Sequence, residues 1–151
     1  MTSHAAVIEA DESFCTAFRG EFKGVMKWSD LDHFWEVVRA RAAAGWYLYA
    51  VGDAVPRSIA TVEQVNRFVY EIDALLRREH EEEYCGIVYV DSMTEPAMIK
   101  IFDPHHLGSQ CGFSDHPPLP GWVMSLLPPS DLREPRILPG NRKRWWRRMW
   151  A

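Results

Sequence analysis

The chain has 151 residues, of which 47% are hydrophobic and 25% charged, the size and balance of one globular domain that folds without disulfides or metal. Its 7 Trp, 5 Tyr and 7 Phe exclude disorder of the whole chain, and its longest apolar run, Ala42 to Val51, is about half the ~20 residues of a spanning helix, which excludes a polytopic membrane protein. The net charge of −4 is uneven: residues 1–132 sum to −10 and residues 133–151 to +6.

The N-terminus, Met1 to Asp11, lacks the basic and apolar regions of a secretory signal. Val7 to Phe18 is weakly periodic and reads as a short helix or a loose arm. Phe22 to Trp28 alternates imperfectly and predicts a strand. Ser29 or Asp30 can cap a helix whose apolar face is Leu31, Phe34, Trp35, Val38 and Ala42. Gly45 follows, where a left-handed cap costs little. Trp46 to Val51 is apolar on both faces, which predicts a strand in the middle of its sheet.

Thr61-x-x-Gln64 has the form of a capping box. Behind it Val62, Val65, Val69, Ile72 and Leu76 recur at helical spacing, the strongest helix signal in the chain. The helix runs out in the charged stretch Arg77 to Glu83. Cys85 to Val90 and Met98 to Phe102 predict two further strands, close enough to form a hairpin. In the second of these, Lys100 faces away from Ile99 and Ile101.

Seven of the ten prolines lie between Pro117 and Pro139. They disfavour regular structure, so residues 117–139 are expected to form a Pro-rich strap in which Trp122 to Leu127 docks on the body. The predicted fold is α+β: a mostly antiparallel sheet of three to four strands, two helices on one face, then the strap. Residues 1–140 are read as a single domain and residues 141–151 as a basic, Trp-rich tail. Strands apolar on both faces need a second cover, either the strap or another subunit of a homo-oligomer.

Cys15, Cys85 and Cys111 are an odd, widely spaced set, which points to reduced thiols and a cytoplasmic location. Two regions carry candidate chemistry. The loop from Asp103 to His116 contains His105, His106, Cys111 and His116, residue types that bind zinc or iron. Their spacing matches no standard metal pattern. Cys111 between Gln110 and Gly112 can also serve as a thiol nucleophile, with a neighbouring histidine as base and Asp103 or Asp115 orienting it. The simpler reading is a surface loop whose glycines make turns and whose Asp103 caps local backbone.

The second region is Asn141 to Trp150. On a helical wheel Trp145, Trp146, Met149 and Trp150 fall on one side, with Lys143, Arg144, Arg147 and Arg148 on the other. Trp145, Trp146, Arg147, Arg148 and Trp150 can therefore meet an anionic membrane surface or a protein partner. Alternatively the tail folds back on its own acidic body. Nucleic acid is disfavoured by that body. The Pro117 to Pro120 run reads as a rigid connector. Nucleotide-binding glycine motifs and the Gly-x-Ser-x-Gly elbow are absent.

The sequence thus favours a non-catalytic accessory or adaptor protein, cytoplasmic or peripheral to a membrane. A small metal- or thiol-dependent enzyme built on the His/Cys loop is the alternative.

Overall fold

The computed structural model describes residues 12–105, 118–132 and 140–150. The first helix, α1, covers residues 12–18 and is followed by β1, Lys23–Val25. Helix α2, Trp28–Ala40, begins one residue before the expected caps. Lys27 holds its N-cap position and no side chain caps it. Instead the Trp28 indole donates to the Glu82 carbonyl at 3.0 Å, tying the helix start to a distant loop. Gly45 turns the chain at φ +100° before β2, Tyr47–Ala50.

Helix α3, Val62–Glu79, starts as the sequence predicts. Thr61 Oγ1 accepts the Gln64 N–H at 3.1 Å, and Gln64 Oε1 accepts the Thr61 N–H at 2.9 Å. Its buried face is Val65, Phe68, Val69, Ile72, Leu75 and Leu76. Strands β3, Val88–Val90, and β4, Met98–Ile101, form the expected antiparallel hairpin.

The sheet departs from expectation at its centre. Trp122–Ser125 is not part of a strap but a fifth strand, β5, hydrogen-bonded to β4 on one side and β2 on the other. The order is β1-β3-β4-β5-β2, all antiparallel. Five strands therefore replace the three to four expected. The prolines do not prevent this, because Pro120 and Pro128 flank the strand and none interrupts its donors.

Strand β2 sits at an edge rather than in the middle. Its apolar second face needs no central position, because Tyr49 is fully buried under other parts of the same chain. The last helix, α4, spans Gly140–Trp150.

The two faces of the sheet hold separate cores. Val25, Val88, Ile101, Trp122 and Ala50 lie in one register row facing α2, α3 and α4. Three helices thus share that face, one more than predicted. On the opposite face, Phe14 of α1 packs with Tyr49, Met98 and Val123, and Leu119, Leu127 and Leu132 pack around them. The second cover comes from within the chain, from α1 and the segments flanking β5. A second register row crosses this face as Gly24, Tyr89, Lys100, Val123 and Tyr49. Gly24 leaves room beside Tyr89, since a Cβ there would stand 3.2 Å from the tyrosine ring, a tight contact.

Candidate functional site

Helix α4 has a sequence that an isolated peptide of 11 residues would not hold helical in water. Packing supplies what propensity lacks. Trp145 meets Trp122 of β5 edge-on, with ring centroids 5.4 Å apart. Trp146 meets Phe68 of α3 at 6.1 Å and Trp150 at 5.3 Å. Met149 is buried in the main core. The Arg67 guanidinium donates to the Met149 carbonyl at 3.1 Å, satisfying an orphan acceptor at the helix end.

The first turn is fixed by Arg142. Its Nε and Nη2 donate to the two Asp103 oxygens at 2.8 and 3.0 Å, and its Nη1 and Nη2 to the two Glu79 oxygens at 2.8 and 2.9 Å. The planar guanidinium thus bridges the end of α3 and the segment after β4. Its hydrogen bond holds the Glu79 carboxyl below the usual range, against the opposing effect of burial. Burial acts against the Arg142 charge as well, but the hydrogen bonds to Asp103 and Glu79 outweigh it and raise its affinity for the proton.

The wheel hid this role in plain view. With Trp145 at zero, Arg142 falls at about 60°, among the apolar residues rather than the other cations. A charge on the buried arc of a helix is the signal for a paired arginine. Glu79 and Asp103, its partners, had no such signal, because they are separated from it by 63 and 39 residues.

The outward arc of α4 consists of Lys143, Arg144, Arg147 and Arg148, all exposed. None of the four side chains makes an ion pair or hydrogen bond with a described residue. Of the residues expected to contact a partner, Arg147 and Arg148 face outward, whereas Trp145, Trp146 and Trp150 are only partly exposed and pack inward.

The His/Cys loop is described only at its start. Asp103 Oδ1 accepts the His105 N–H at 2.9 Å, the local turn expected of this residue, while the same carboxylate serves Arg142. His105 is exposed. His106, Cys111 and His116 lie outside the described residues, as does Asp115. Among the described residues no group of three or more His, Cys, Asp or Glu is placed to hold a metal ion such as zinc or iron. Cys85 is buried, and burial pushes its thiol up, which suits packing rather than nucleophilic attack. No helix among the described residues is long and apolar enough to cross a membrane.

The arrangement presents four exposed cations on one arc of a helix that aromatic packing and a bridging arginine tie to the fold. No protein-family model matches this chain, and neither the curated proteins nor the solved structures compared with it gave a match.

Proposed function

We propose that the protein is a non-catalytic adaptor that docks an acidic patch of a partner protein onto the outward face of α4. The observation that carries this reading is the set of four exposed cations without acidic partners among the described residues, on a chain whose residues 1–132 sum to −10. Free arginine forks match carboxylates two oxygens at a time. Docking on a helix already ordered by Trp145 and Trp146 avoids the cost of folding a tail on contact.

The same observations rank the partner classes. An anionic bilayer needs an apolar face to insert, and the tryptophans of α4 already pack inward. A bilayer or a long nucleic acid also presents charge to the acidic body as a whole. A compact acidic patch does not, because charges further than ~8 Å are screened at physiological ionic strength.

The test is binding of the full chain to an immobilised hexaglutamate peptide, beside phosphatidylserine vesicles and duplex DNA, for the wild type and the variant Lys143→Gln, Arg144→Gln, Arg147→Gln, Arg148→Gln. Four exposed pairs at about 0.5 kcal/mol each predict about a thirtyfold weakening on the peptide. Equal binding by the two proteins removes α4 from the function. Preference for vesicles or DNA over the peptide overturns the acidic-protein assignment.

A further inference from the structure

The face of the sheet opposite α4 carries a feature that docking by α4 does not use. A cavity of about 270 Å³ is lined by Phe22, Ile87, Tyr89, Lys100, Phe102 and Pro118, and its walls are mostly apolar. Tyr89 and Phe102 meet edge to face at 5.5 Å and form one wall. Lys100 is the one cation among these lining residues, and β4 fixes it opposite Tyr89 in the register.

The environment of its amine is unusual for a lysine. Nζ lies 3.9 Å from the Phe22 ring centroid and 4.1 Å from that of Phe18. These faces attract the cation, but they offer its three N–H donors no oxygen. Among the described residues the Lys100 amine has no ion pair and no hydrogen bond. Its nitrogen is not sealed off, because no buried side-chain nitrogen or oxygen among the described residues lacks a partner. Burial also lowers the affinity of the amine for its proton. A half-buried, partly desolvated lysine lining an apolar cavity favours one kind of ligand: an anion joined to an apolar body.

We propose that this cavity binds a small monocarboxylate, its apolar body between Tyr89, Phe102, Ile87 and Pro118 and its carboxylate on Lys100 Nζ. The volume sets the size. A cavity of roughly 150 Å³ holds benzene, so one of 270 Å³ suits a bicyclic aromatic acid or a medium acyl chain. A single amine, with no second cation among the described lining residues, suits one carboxylate better than a phosphate or a dianion.

The probe is octanoate, titrated calorimetrically into the full chain below its micelle concentration and compared with 1-octanol. The two share a chain and differ in charge. Octanoate should bind at least about tenfold tighter than octanol, the effect of a charge-assisted hydrogen bond in a partly dry site. Lys100→Met should erase that preference while leaving octanol binding unchanged, and Lys100→Arg should retain most of it. No octanoate binding, equal binding of octanoate and octanol, or a preference that survives Lys100→Met overturns the proposal. The wild-type comparison decides the matter even where Lys100→Met fails to fold. The α4 variant described above should bind octanoate normally, so failure at one site is distinct from failure at the other.

Discussion

Arg142 is 9% exposed, yet it carries a full charge between two carboxylates. Such a bridge is weak evidence for stability in itself, but removing one partner strands the others. Arg142→Met leaves Asp103, 6% exposed, with the His105 N–H but no cation. The expected loss is about 3 kcal/mol at neutral pH, read from denaturant unfolding. Its pH dependence has a definite sign. In the wild type the Glu79 carboxyl is held below its unfolded value, so its contribution is complete above about pH 4.3 and disappears as pH falls through the lower folded value. The stability gap between the two proteins should therefore narrow as pH is lowered from 7 towards 3. A gap that stays constant over that range contradicts the charge account of this bridge.

Helices α2 and α3 differ in how they begin, and the difference is measurable. Thr61→Ala removes half of the capping box and should cost about 1 kcal/mol, or a few degrees of midpoint temperature. Ser29→Ala should cost within about 0.5 kcal/mol, because Ser29 is inside α2 and caps nothing. If Ser29→Ala costs as much as Thr61→Ala, the helix start has been misplaced. At this scale the sequence was legible where a local pattern decides the outcome: the Thr61 box, the apolar spacing of α3, and the hairpin of β3 and β4. It was less legible where pairing is long-range. The segment Trp122–Ser125 is too short to announce a strand against so many prolines, and only β4 and β2 on either side make it one. Strand β2 read as central because both its faces are apolar, a pattern that reports burial and not position in the sheet.

At the scale of the whole molecule, the described residues place different features on the two faces of the sheet. One side of the sheet carries α2, α3 and α4 with the cationic arc outward, and the other carries α1 and the cavity beside Lys100. The amphipathic division of Asn141–Trp150 was visible in the sequence, and so was its cationic arc. What its tryptophans touch was not, because Phe68 and Trp122 are brought to them by the tertiary fold. Lys100 was visible as a residue turned away from Ile99 and Ile101, but its aromatic neighbours come from a separate, N-terminal stretch. The central claim is that α4 is built into the fold with its cations outward. Amide hydrogen exchange on the full chain tests it most directly. The account predicts that the amides of residues 145–150 exchange slowly, and that Arg142→Met speeds them far more than the amides at the centre of α3. Exchange of those amides at the rate of an unstructured peptide in the wild type would contradict it.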